Sequence, residues 1–304
     1  MRGDQEDSSP PGLPYPPEYD IAARPSVAPG TLRSAGTMFA ALYGELVPHA
    51  WHGPDPEQDA YSLFHQRSIA MGWLDDRSAG GDAAEPGLRA AGLWGMNDAG
   101  WSHPLAVAGT GLISWFQVEA SAVADDRPLP VRPFLRCAQD ATEWAGAVRL
   151  SAVQILLPVQ GIDPSSRPPY APVPSAGADG WFAGRDPRAR TRVEVRVNSG
   201  LDPSVPAVAR RLAHELGRLE REVFVPGPGS QEDGGRGEET LPPPFHDSFW
   251  NGPPLHGTVL RGELAEWSCD AVGRLAETVA DVAARLGVRS PLLFTVVRAA
   301  GPEG

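Results

Sequence analysis

The residues best placed to do chemistry sit at alternate positions of three strand-like runs. Trp115, Gln117 and Glu119 alternate with Phe116, Val118 and Ala120 in residues 111–123. Glu194 and Arg196 alternate with Val193, Val195 and Val197, and Arg261 and Glu263 lie in residues 258–267. A strand sends successive side chains to opposite faces, so each set lines one face of a half-buried strand. If the three faces join over a cavity, Glu119 beside Trp115 is the candidate general acid or base, its carboxyl shifted by burial. Arg196 or Arg261 would then hold an anionic group. The same mixture of signs also reads as cross-strand ion pairs on a wet outer face.

Two cysteines are present, Cys137 and Cys269. Cys269 falls in the first turn of a predicted helix, where backbone N–H groups favour a thiolate, so it is a candidate nucleophile. Its alternative is a buried structural cysteine. Cys137 sits on the apolar stripe of its helix. His49, His52 and His65, with nearby carboxylates, are a weak metal-ligand set, because Gly53-Pro54 stops any helix that would align the first two. His214-Glu215 lacks the second histidine of a zinc-protease helix, since Arg218 stands there. Walker, G-x-S-x-G and deaminase signatures are absent, and no cofactor is expected. Phe249 and Trp250 lie in a polar, Gly/Pro-rich stretch, which makes them candidate interface residues.

The 304-residue chain has net charge −12, which argues against nucleic acid and anionic membrane surfaces as partners. The 26 basic residues are all arginine, a composition expected of a high-GC bacterial genome, and no lysine is available as a Schiff-base former. The widely separated cysteines, the acidic N-terminal residues and the lack of a long apolar run lead us to expect a cytoplasmic protein without a membrane span.

The elements that must position these residues follow from periodicity. Residues 1–30 are proline-rich and acidic and read as a disordered tail. Residues 31–110 read as a helical and loop-rich N-terminal layer. Its first helix is expected around Met38–Leu46 and its second over Asp59–Trp73. Residues 111–304 read as strand, helix, strand, strand, helix, then strand, helix, strand. A long polar loop is expected at 226–256, and Ser204 and Ser268 are candidate helix caps. The whole predicts an α+β fold with a mostly antiparallel sheet, helices on one face, and repeated βαβ units of ferredoxin-like type. The functional expectation is a non-catalytic protein-binding or assembly module with a protein partner or self-association. The alternative is a small-molecule enzyme or ligand-binding protein with a cavity on the polar face of the sheet.

Overall fold

The computed structural model describes residues 36–50, 59–75, 94–120, 128–164, 190–219, 223–234 (backbone alone for 228–234) and 241–299. The expected tail and His52 lie outside these residues. In chain order the elements are β1 (Gly36–Pro48), α1 (Ala60–Ala70), β2 (Gly95–Gly100), β3 (Leu112–Ala120), α2 (Val131–Ala145) and β4 (Gly146–Leu157). There follow β5 (Thr191–Asn198), α3 (Ser204–Leu219), β6 (Phe224–Gly234), β7 (Gly257–Leu264), α4 (Cys269–Arg285) and β8 (Leu292–Arg298). The strands form one eight-stranded antiparallel sheet in the order β2-β3-β1-β4-β8-β5-β7-β6. No helix among the described residues is long and apolar enough to cross a membrane.

One core holds the helices against the sheet. Met38, Ala40 and Leu42 of β1, Ile155 of β4, Val195 of β5 and Phe294 of β8 meet Phe64 of α1, Phe134 of α2, Leu212 of α3 and Val279 of α4. A second, smaller core lies on the other face, around Phe39, Tyr43, Trp115, Phe245 and Trp250. This explains why β1 does not read as a strand. As a central strand it is apolar on both faces, so its sequence does not alternate, and Met38, Ala41 and Leu42 mimic a helical spacing. Residues 36–48 are therefore strand rather than helix. The N-terminal segment is no separate layer, because β1 pairs with both β3 and β4.

The loop expected at 226–256 also resolves differently. Its first part continues β6 to Gly234, with an irregularity between Pro226 and Gln231. A strand rich in proline and glycine is tolerated because β6 is an edge. β2, equally glycine-rich, occupies the other edge.

The helix ends follow their local chemistry. Asp59 accepts from the Ser62 N–H at 2.7 Å to start α1, and Ser268 accepts from the Ala271 N–H at 3.2 Å to start α4. At α3 the role expected of Ser204 passes to Asp202, whose Oδ1 accepts from the Ser204 N–H at 3.0 Å. Gly287 ends α4 at φ +96°, a conformation that favours glycine.

The two halves of the chain have the same plan. Strands β1 to β4 and β5 to β8 each follow the order second-third-first-fourth from the sheet edge inward, and the two fourth strands, β4 and β8, pair at the centre. Gln154 faces Thr295 at this seam. A two-fold relation about that pair makes Ala41 equivalent to Arg196, Gln117 to Arg261, and Glu119 to Glu263.

Candidate functional site

The helix-free face of the sheet carries the residues singled out by alternation, and it divides into two unlike regions. Over the first half it is closed. Trp115 stacks on Phe39 at 5.6 Å, His103 meets the Trp115 ring edge-on at 4.7 Å, and Phe245 meets Phe39 edge-on at 4.9 Å. The Trp115 indole N–H donates to the Ser102 carbonyl at 2.9 Å. Phe249 packs against Phe245, and Trp250 is fully buried. The aromatic residues of 241–250 are thus pinned to the sheet, and the sheet face is the element that buries them. Beneath them, the buried Gln154 side chain accepts from the Tyr43 hydroxyl at 3.2 Å. It also donates to the Leu241 carbonyl at 2.8 Å and to Thr295 Oγ1 at 3.2 Å. Both functions of the amide are used, as a buried polar group requires.

Gln117 and Glu119 remain half-buried on β3, opposite Phe39 and Thr37 of β1. Gln117 also faces Asp98 of β2, where burial holds the Asp98 carboxyl above the ordinary range, although the Ala99 N–H donates to it at 2.8 Å.

Over the second half the face is open and charged. Glu194 stands between two arginines, at 2.7 Å from Arg196 and 3.2 Å from Arg261. Glu194 and Arg261 are register partners across β5 and β7, which accounts for their pairing. Arg192 and Glu263, also register partners, are 3.9 Å apart and more exposed. Beside them runs an open groove of about 490 Å³, lined by Val225, Pro226, Gly227, Glu194 and Gly262. A second open groove of about 540 Å³ lies between Gly44, Glu45, Arg149 and Arg298, and the two share Ala299. Glycine is required at its wall, since Gly44 adopts φ +148° against the Arg149 carbonyl.

The candidate acid–base constellation is not assembled. β1, β4 and β8 separate β3 from β5. At ~4.8 Å per strand, β3 and β5 are roughly 19 Å apart, so Glu119 is at least that far from Arg196, and Arg261 is one strand farther. Trp115 belongs to the second core.

Cys269 starts α4 as expected but is fully buried, and burial pushes its thiol far up, with Asp270 adding to the rise. The helix N-terminus does not offset that desolvation, so no thiolate is favoured there. Cys137 is buried beside Met71 Sδ at 3.4 Å, and burial raises its thiol too. His49 meets the Glu143 carbonyl at 3.2 Å, while His65 stacks on Tyr61 at 5.9 Å. Among the described residues no group of three His, Cys, Asp or Glu side chains is placed to hold a metal ion.

Sequence reasoning missed Arg192, Val225–Gly227 and the Gln154 network. Arg192 shares the alternation of Glu194 and was legible by it, since it faces the candidate Glu263 across β5 and β7, whereas Gln154 is a lone polar residue in an apolar run. Compared with known proteins, the chain matches no family model, no curated protein sequence and no solved structure.

Proposed function

We propose that this protein is a non-catalytic protein-binding or assembly module, built from two ferredoxin-like β-α-β-β-α-β units joined edge to edge, which docks a protein partner on the open half of its helix-free face. The observation that carries this reading is the asymmetry of that face. Half of it is sealed by aromatic side chains, while the half bearing Arg192, Glu194, Arg196, Arg261 and Glu263 is left as a shallow charged surface. Shallow, charged and edged by the exposed Val225, it has the character of a protein-docking surface rather than an enclosing ligand pocket. Arginines at the rim of such a surface favour an acidic partner surface. The role first sought in Phe249 and Trp250 passes to this charged half, because those two side chains serve the second core.

Native mass spectrometry of the full chain, alone and with candidate partners, tests the reading. A complex, with a second copy or with another protein, is expected to form and to be lost in Arg192→Glu/Arg261→Glu while the fold is retained. A complex that survives this double reversal would count against it. A retained small-molecule mass on the purified chain would instead favour the alternative, a ligand-binding protein using the 490 Å³ groove with Arg261 as the anion-holding residue.

A further inference from the structure

A thioether and a thiol meet where α1 packs on α2. Met71 caps the C-terminus of α1, and Cys137 lies in α2. Their sulfur atoms are 3.4 Å apart. Cys137 is 0% exposed and Met71 42%. The methionine side chain therefore stands between a buried sulfur and water.

Local spacing builds this corner. Ser68 and Met71 are three residues apart at the end of α1, and Phe134 and Cys137 are three apart on α2, so each pair shares one side of its helix. Trp73, just beyond α1, meets Phe134 edge-on at 5.9 Å. Ser68 and Trp73 bring two donors that nothing uses. Ser68 is 0% exposed and Trp73 8%. Ser68 Oγ and Trp73 Nε1 are buried and reach no hydrogen-bond partner among the described residues. Orphaned groups of this kind are rare in a folded core and call for an explanation. Both side chains bear on the Cys137 sulfur: burial raises the thiol, and Ser68 and Trp73 act to lower it. Donors that favour a sulfur anion, placed where burial keeps the proton on, suit a sulfur whose proton is exchanged for a metal.

The donor set and the charge select the cation. A thiolate and a thioether are soft ligands, which suit Cu(I) and not the hard cations Mg(II) or Ca(II). Arg67 and Asp140 also act on the sulfur, and they pair with each other at 2.7 Å. A monovalent cation on the Cys137 thiolate thus leaves the buried corner neutral, whereas a divalent one leaves an uncompensated charge. Metal–thiolate bonds of about 2.3 Å span sulfurs up to about 4.6 Å apart, so a straight bridge needs Met71 to swing out by ~1 Å. Its flexible, half-exposed side chain permits this.

We propose that Cys137 Sγ and Met71 Sδ form a two-coordinate site for a soft monovalent cation of the Cu(I) class, with Ser68 and Trp73 as donors to the thiolate sulfur. A sulfur–metal bond replaces the S–H bond of Cys137, the thioether donates a lone pair, and the proton leaves to solvent. Nothing is oxidised or reduced. Titration of the reduced full chain with Cu(I) under argon, against bicinchoninate as competing chelator, tests the site, with native mass spectrometry counting bound metal. One Cu(I) per chain is expected, retained in Cys269→Ala and lost in Cys137→Ala. Met71→Leu, which conserves volume, should weaken binding roughly tenfold or more while leaving the circular dichroism spectrum unchanged. Affinity unchanged by Met71→Leu overturns the proposal, since a lone thiol would then suffice. Loss of binding in Cys269→Ala, or no Cu(I) bound by the natural chain, overturns it too. Should Cys137→Ala fail to fold, the ranking of Met71→Leu against Cys269→Ala decides alone.

Discussion

Gln154 and Thr295 meet across the β4–β8 seam, with Gln154 Nε2 donating to Thr295 Oγ1 at 3.2 Å. This is the register position about which the two halves of the sheet repeat, and the Gln154 amide also ties the 241–250 segment to the sheet through the Leu241 carbonyl. Gln154→Leu leaves that carbonyl without this donor and removes an acceptor from the Tyr43 hydroxyl. A loss of about 1–3 kcal/mol in urea-denaturation free energy is expected. A neutral result would mean that water replaces the amide.

The second core makes a contrast between neighbours. Trp250 is fully buried and Phe249 only partly. Trp250→Ala should cost about 3–5 kcal/mol, and Phe249→Ala clearly less. Equal and small effects on Tm would show that the segment does not contribute to the core.

Two glycines separate steric crowding from backbone preference. Gly200 sits at φ +68° against the Asn251 carbonyl, whereas Gly287 sits at φ +96° with open space around it. Gly287→Ala should cost about 1–2 kcal/mol from conformation alone. Gly200→Ala should cost more, because Asn251, which itself accepts from the Leu201 N–H at 2.8 Å, must move. The reverse ranking in chemical denaturation would refute the crowding.

Cys269 predicts an alkaline limit on stability. Its thiol is raised in the folded state, so the native protein binds the proton more tightly than the unfolded chain does. The associated stability is fully present below the unfolded thiol pKa of about 8.5 and falls as pH rises above it. Between pH 7.5 and 9.5 the urea midpoint should drop more steeply in the natural chain than in Cys269→Ala. Parallel pH profiles would contradict this, as would rapid labelling of native Cys269 by iodoacetamide.

The charged half of the sheet should behave oppositely. Arg261 is half-exposed and its pair with Glu194 is near the surface. Arg261→Ala should therefore change stability by no more than about 1 kcal/mol. A larger loss in thermal denaturation would give the ion pairs a structural role in place of the docking role proposed above.

The sequence made the second half of the fold legible and concealed part of the first. β5 and α4 announce themselves because each has one wet or charged side, so Val193, Val195 and Val197 alternate and Ser268 marks a helix start. β1 hides because it has no such side: Phe39 and Tyr43 are covered by residues more than two hundred positions later. The same long-range contact took Phe249 and Trp250 out of the candidate interface. Alternation put Glu194 and Arg261 among the mixed charges of one face, and the shared register of β5 and β7 is what makes them a pair. Their separation from Glu119 was not legible, since strand order is set by crossovers that local periodicity does not encode.

The central seam has a consequence for biosynthesis. β4 emerges from the ribosome well before β8, more than 130 residues later in the chain. Until then the first half presents Val153, Ile155, Leu156 and Leu157 along an unpaired strand edge. Such an edge is a template for intermolecular pairing. During synthesis the nascent chain therefore carries an aggregation hazard on β4 until pairing with the closing strand removes it.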